Sequence, residues 1–384
     1  MSVSIFSSKI LFLIFGVFFF TLIAKIDFHA IPHIVMFHKY SETKIEYIYI
    51  GLSQIFGYIV TGFTLIIFSF VGSRNTLSIS IIIFAISVLF LMISMTNDLL
   101  SVVLMIMSGS TFYYFIINII YVTEYFKHRF SYGITLLFLT FAIGILCGKQ
   151  LIFFFDTHDS SFLILLNVIS LSLVLISIQF YKKNHCIIEE PEIIFSYLIT
   201  NTKLQMMASF IVFYILASIS WHYSAYDIEH DSIILDLWIL RKYALLTMLI
   251  FAVPIQYLLS KFSKYLLNLL FLIILMISFT SLLSSYTEAI IHLLLLGIIS
   301  ICMYGLLISN LLILSDKFEN SQLHTAIMLY FTTGAMGYYT GTAIGSRAFE
   351  IIGSSGLIAS ICIILTAYTL YYLLQFIRLK LYSW

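Results

Sequence analysis

Along this chain apolar residues come in long runs, and polar residues collect in the short gaps between them. Cutting at the polar punctuation gives runs over 10–37, 47–71, 77–95, 99–122, 131–155 and 161–181. A polar stretch with Lys182, Lys183, Glu189, Glu190, Pro191, Glu192 and Lys203 follows, and then runs over 205–224, 233–259, 265–284, 289–314, 322–346 and 354–377. A helix needs about 20 mainly apolar residues to cross hydrocarbon about 30 Å thick. Backbone polar groups in lipid must be satisfied internally, and runs of this length do so as helices rather than as barrel strands of about ten residues. The pattern predicts an all-α membrane protein of twelve transmembrane helices: a six-helix bundle over 1–181, a linker over 182–204 and a second six-helix bundle over 205–384.

Composition agrees. Hydrophobic residues make up 61% of the chain and charged residues 10%, and the mean hydropathy is +1.08. A soluble domain carries about 25% charged residues, so a soluble core of this size would lack the polar surface to cover it. The net charge of +1 argues against a nucleic-acid partner. Cys147, Cys302 and Cys362 lie in apolar runs and Cys186 in a polar gap. Their spacing fits neither a zinc site nor a disulfide framework, so no metal is expected and the thiols read as structural. Lys9 precedes an apolar stretch as in a signal peptide. No small-residue cleavage site follows Ala24, however, and the run continues through Pro32, which makes it the first span. There is no Gly-x-x-x-x-Gly-Lys-(Ser/Thr) motif, so neither ATP coupling nor a cofactor is expected.

Lysine and arginine set the orientation. With both termini inside, the inner side receives Lys9, Arg74, Lys127, Arg129, Lys182, Lys183, Lys203, Lys261, Lys264, Lys317, Arg378 and Lys380, and the outer loops only Lys39, Lys44 and Arg347. That asymmetry is a positive-inside signal, and it implies a multi-pass protein of a bacterial inner membrane with cytoplasmic termini.

The two halves echo each other. Gly72-Ser73-Arg74 makes a short inner turn after span 2, and Lys261-Phe262-Ser263-Lys264 makes one after span 8; Gly72 and Ser263 are 191 positions apart. Gly144 and Gly148 form a four-residue step in span 5. Gly337 and Gly341 repeat it in span 11, 193 positions later. The nearly equal offsets point to a duplicated six-helix unit. Glycine steps clear a groove into which another backbone can pack, which allows either ordinary helix packing or a sliding contact between the halves.

Six plus six spans, a charged linker and short inner turns resemble the major facilitator superfamily. The best local match is Val253-Pro254-Ile255-Gln256-Tyr257-Leu258-Leu259-Ser260-Lys261-Phe262-Ser263-Lys264, which resembles the Pro-Ile-Gly-x-Leu-(Ala/Ser)-Asp-(Lys/Arg)-Phe-Gly-Arg turn of a bacterial subgroup of largely unassigned substrate. Pro254, Lys261 and Lys264 fit; Gln256 and Ser263 replace glycines, and Ser260 replaces the aspartate. Gly297, Tyr304-Gly305, Asp316-Lys317-Phe318-Glu319 and Gln322-Leu323 resemble the same subgroup. In the first-half turn only Gly72 and Arg74 survive, and Ser69 stands near the family's acid. The resemblance implies that these acids help latch the inner side, so their loss implies a weaker latch or one built from other groups. Span 5 lacks the proline of many drug–proton antiporters, and span 4 lacks their arginine.

The resemblance also implies that spans 1, 4, 7 and 10 line a central cavity, flanked by spans 2, 5, 8 and 11. Spans 3, 6, 9 and 12 hold no charged residue, as that topology requires. A charge in hydrocarbon costs at least about 2.5–3.5 kcal/mol and usually faces a protein interior or a water-filled cavity. Span 1 carries Lys25 and Asp27 with His29, span 5 Lys149 and Gln150, and span 8 Asp236, Arg241 and Lys242. Span 4 offers Asn118, span 7 His222, and span 10 His292 and Asn310. Candidate substrate contacts are therefore Lys25, Asn118, Lys149, Gln150, Arg241, Lys242 and Asn310. Asp27 is the proton-coupling candidate, and Gly72, Arg74, Gly144, Gly148, Pro254, Lys261, Lys264, Gly337 and Gly341 are gating or interface residues. Bland readings stand beside these: an ion pair for Lys25 and Asp27, snorkelling for Arg241 and Lys242, interfacial histidines, and interhelical bonds for the asparagines.

Lys25, Lys149, Arg241 and Lys242 outnumber Asp27 and Asp236. A basic cavity of low dielectric favours an anionic or zwitterionic solute. The expected function is secondary transport of such a metabolite by alternating access, by a monomer in the lipid bilayer, with a small-molecule substrate, a coupling ion and no nucleic acid. The alternatives are export of amphipathic compounds, a non-transporting relative, and a membrane-embedded enzyme using Asp227, Glu229, His230 and Asp231.

Overall fold

The computed structural model of the chain describes residues 11–25, 56–60, 73–93, 97–126, 130–154, 160–179, 191–230, 237–284, 289–318 and 320–382. All elements among these residues are helical. They are α1 (Leu11–Lys25), the part of α2 at 56–60, α3 (Ser73–Ile93), α4 (Asn97–Tyr125), α5 (Phe130–Phe154), α6 (Ser160–Ile178), α7 (Pro191–His230), α8 (Leu237–Lys261), α9 (Lys264–Ser284), α10 (Ala289–Lys317) and α11 (Asn320–Tyr382). Among the described residues, seven stretches are long and apolar enough to cross a membrane, and Leu11–Lys25, Leu77–Phe90 and Leu165–Ile178 are shorter apolar ones. The chain divides into two compact units, Met1–Pro191 and Glu192–Trp384.

In the first unit α3 packs on α4 and α6, and α4 on α5. Phe20 of α1 fills the centre, its ring 4.0 Å from Tyr114 of α4 and 5.1 Å from Phe84 of α3; all three are fully buried. Outward, α3 exposes Ile79, Ile82 and Ile86, three or four residues apart and so on one face. Such a face suits hydrocarbon, where association rests on close packing and interhelical bonds rather than on apolar burial from water.

In the second unit α9 packs on α10 and α11, and α10 on α8 and α11. Tyr214, Phe279, Tyr330, Phe331 and Tyr372 are fully buried. The α8–α9 turn is two residues long. The Leu258 carbonyl still accepts the Phe262 N–H at 2.9 Å, and the Ser263 carbonyl accepts the Leu267 N–H at 3.0 Å. Ser263 thus stands at the start of α9, where serine is a favoured cap.

Two boundaries differ from the sequence reading. The latter part of the polar stretch, from Pro191 on, is the first part of α7; proline is well placed there because a first-turn N–H has no helical partner. The two final spans join in one element, bent at Gly353 with φ 74° and ψ −171°. That conformation is almost confined to glycine, and it turns the chain within a single residue. The arms of α11 are 320–352 and 354–382.

Candidate functional site

The glycine steps fix how the helices carrying candidate residues sit in their own units. Gly144 of α5 lies against Thr21 and the Phe18 carbonyl of α1. A methyl added to Gly148 would stand 2.7 Å from the Leu22 carbonyl and 3.1 Å from Lys25 Cβ. Gly337 of α11 lies against the Phe210 carbonyl of α7, and a methyl on Gly341 would stand 2.5 Å from the Tyr214 carbonyl. Phe210 and Tyr214 follow Phe18 and Leu22 by 192 positions each. The same groove therefore receives the same turn of the equivalent helix in each unit.

This seam places one of the predicted cations. Lys25 ends α1 half-buried, with its stem against α5 at Gly148, one residue before Lys149. Gln150 follows on α5 and is exposed. The missing side chain of Gly148 thus lets the Lys25 stem reach α5, the helix that also carries Lys149.

Both asparagines bond a carbonyl of their own helix. Asn118 is fully buried and donates its amide to the Tyr114 carbonyl at 2.8 Å. Asn310, 192 positions on, is fully buried too and donates to the Leu306 carbonyl at 2.7 Å. Its side-chain oxygen accepts from the amide of Asn268 on α9 at 3.3 Å, while Ser309 donates to the Asn268 oxygen. Asn310 is thus held on α9, one of the supporting helices. Asn268 escaped the sequence reading, although it is the one amide side chain in span 9, a signal that would have found it.

The end of the second unit that carries Lys264 is tied by four polar contacts. Lys264 of α9 pairs with Asp316 of α10, and Lys317 reaches the Asn201 carbonyl of α7 at 3.4 Å. Tyr368 on the second arm of α11 donates to the Leu204 carbonyl of α7 at 3.0 Å, and Tyr372 donates to the Tyr265 carbonyl of α9 at 3.3 Å. Helices α7, α10, α9 and α11 are thereby joined in a closed ring. Ser260, where the resembled turn has its acid, donates to the Tyr257 carbonyl in its own helix at 2.8 Å. Pro254 is exposed on α8, and so is Lys261, which lies over the Tyr257 ring at 5.9 Å.

Asp27, His29, Ser69, Gly72, Cys186, Asp231 and Asp236 lie outside the described residues. Arg74 falls in α3, Lys149 in α5, Arg241 and Lys242 in α8, and His222 with Asp227–His230 in α7; their side chains also lie outside the description. His292 is buried in α10. No grouping of three or more metal-ligating side chains occurs among the described residues.

The folded chain is thus a membrane protein of two pseudo-symmetric six-helix bundles, and its fold is that of the major facilitator transporters. It resembles the transporter FucP in the outward conformation with a TM-score of 0.69 and 15% identity, over 94% of this chain and 97% of that one. The proton:xylose symporter XylE gives a TM-score of 0.68 and 15% identity, over 95% of both chains. A bacterial homologue of the iron transporter ferroportin, in its outward-facing state, gives 0.72 and 11%, over 94% of this chain and 98% of that one. In sequence the chain is 27% identical over 374 residues to the uncharacterized protein RP255 of Rickettsia prowazekii (strain Madrid E), covering 97% of each. The chain matches no protein-family model.

Proposed function

We propose that this chain is a secondary transporter of a bacterial inner membrane, moving a small anionic or zwitterionic metabolite by alternating access of its two six-helix units. The observation that supports the substrate class is the seam at Gly148, where the Lys25 stem of α1 meets α5, the helix that also carries Lys149. On this reading Lys25 and Lys149 both face the solute path, where cations attract a negative group and repel a cation. Arg241 and Lys242 of α8 add to the positive bias, Gln150 offers hydrogen bonds, and Asp27 is the proton-coupling group. The domain assignment is two bundles, 1–181 and 205–384, joined through 182–204, with both termini cytoplasmic and the Lys264 end of the second unit inside.

No covalent step is needed for this role, and the protein is not an enzyme on this reading. Asn118 and Asn310 stay candidate solute contacts on this reading; each amide also bonds a carbonyl of its own helix, and Asn310 accepts from Asn268 of α9. Within the second unit, the ring through Lys264, Asp316, Lys317 and the two tyrosines ties the end where Ser260 replaces the resembled turn's acid.

The test is a thermal-shift screen of purified full-length protein against organic acids, amino acids, phosphorylated metabolites and organic cations. A ligand at one hundred times its dissociation constant stabilises by about 2.7 kcal/mol. Stabilisation by an anionic or zwitterionic compound, lost in Lys25→Gln, is the expected result. Stabilisation by cations alone contradicts the substrate class.

A further inference from the structure

At the short turn after α8 stand an exposed cation and two exposed aromatic rings, and an apolar face of each flanking helix runs to it. On α8 the exposed residues Leu246, Ile250, Val253 and Tyr257 recur every three or four positions and share one face, and Lys261 continues that face. On α9, Leu266, Leu270, Ile273 and Ile277 form a second exposed face. Both run to the turn Lys261-Phe262-Ser263-Lys264. Faces so uniformly apolar suit acyl chains rather than an aqueous cavity.

At the turn the chemistry changes within a few residues. Tyr257 is 63% exposed and Phe262 55% exposed, so two aromatic rings stand where the apolar faces end. Aromatic rings at this position belong to the headgroup level of a bilayer. The two lysines differ: Lys264 is neutralised by Asp316. Lys261 is exposed and held over the Tyr257 ring, and no carboxylate among the described residues pairs with it. An aromatic face orients an ammonium group without cancelling its charge.

We propose that this turn binds the headgroup of an anionic phospholipid of the inner leaflet, with Lys261 on the phosphate, Tyr257 and Phe262 flanking it, and the acyl chains along α8 and α9. The site rests on the membrane-spanning reading of the chain but not on its transporting anything, and its test reads no transport. Its selectivity follows from charge. A net-negative headgroup gains the attraction of an uncompensated lysine, whereas the ammonium of a zwitterionic headgroup offsets it.

The experiment uses the full-length protein in mild detergent, exposed to equimolar phosphatidylglycerol and phosphatidylethanolamine, with retained lipid counted by native mass spectrometry. Wild type is expected to retain phosphatidylglycerol in excess, Lys261→Gln to lower that preference about fivefold, and Lys261→Arg to keep it. Lys203→Gln removes another exposed lysine of the same end and serves as the control, with unfolding midpoints confirming that the variants fold. No preference in wild type overturns the proposal. An equal loss in Lys203→Gln also overturns it, because a general basic fringe would then account for the binding.

Discussion

Asn268 of α9 donates its side-chain amide to the side-chain oxygen of Asn310 on α10 at 3.3 Å, inside a bundle core that solvent does not reach. Ser309 completes the group by donating to Asn268. A lone amide in hydrocarbon is costly, and two that meet satisfy each other. Measured values for such interhelical bonds average about 0.6 kcal/mol and reach about 1.7 kcal/mol. Asn310→Leu is expected to lower the unfolding free energy by an amount in that range, and Asn268→Leu likewise. The double variant should be less destabilised than the sum of the two, because neither partner is then left orphaned. Additive losses in a calorimetric or fluorescence melt would show that the two amides do not depend on each other.

The glycine steps make a sharper pair of predictions. At Gly144 the nearest obstacle to a methyl is the Thr21 hydroxyl, a side-chain atom, whereas at Gly337 it is the Phe210 carbonyl, which is backbone. Both alanine substitutions should destabilise by about 1–3 kcal/mol through overpacking. Thr21→Ala should recover much of the Gly144→Ala loss, and Phe210→Ala should recover little of the Gly337→Ala loss. Double-mutant cycles on thermal midpoints separate the two cases.

At Gly353 an added methyl meets nothing within 4 Å, so any cost of Gly353→Ala is conformational. Holding alanine at φ 74° and ψ −171° costs about 1–3 kcal/mol. The expected result is a lower midpoint with no change in the packing around the bend. An unchanged midpoint would mean that the two arms of α11 are joined in another conformation.

The Lys264–Asp316 pair is partly exposed, with side chains 25% and 58% accessible. Such pairs are worth about 0–1 kcal/mol and weaken with salt. Asp316→Asn should therefore lower stability slightly at low ionic strength and hardly at all at high ionic strength. A large, salt-independent loss in denaturant unfolding would point to a buried role for Asp316.

The sequence made the spans readable because charge and proline punctuate them, and it made the duplication readable because Gly144 and Gly148 recur as Gly337 and Gly341. It did not say which helix fills each groove: a glycine step marks an open face, not the backbone that comes to it. The start of α7 was read as linker because Glu189, Glu190, Glu192 and Lys203 look like a loop, yet helix needs no apolar face where it leaves the bilayer. The run from 347 to 353 was read as a loop for the opposite reason, since one glycine does there what several residues usually do. Lys264 and Asp316 lie 52 positions apart, and the link between Asn268 and Asn310 spans 42. No local pattern reports pairings at such separations. Asn118 and Asn310 were legible as polar residues in apolar helices, but which face they turn to their neighbours was not.

The central claim is the proposal that Lys25 and Lys149, carried by the two helices that meet at Gly148, receive the negative group of a transported solute. Counterflow in proteoliposomes tests it most directly: vesicles loaded with the compound that best stabilises the protein are diluted into a trace of the same compound, radiolabelled. The account predicts transient accumulation of an anionic or zwitterionic label by the wild type, reduced at least tenfold in Lys25→Gln and in Lys149→Gln while both variants keep the wild-type unfolding midpoint. Undiminished counterflow in both variants, or counterflow of organic cations alone, would contradict it.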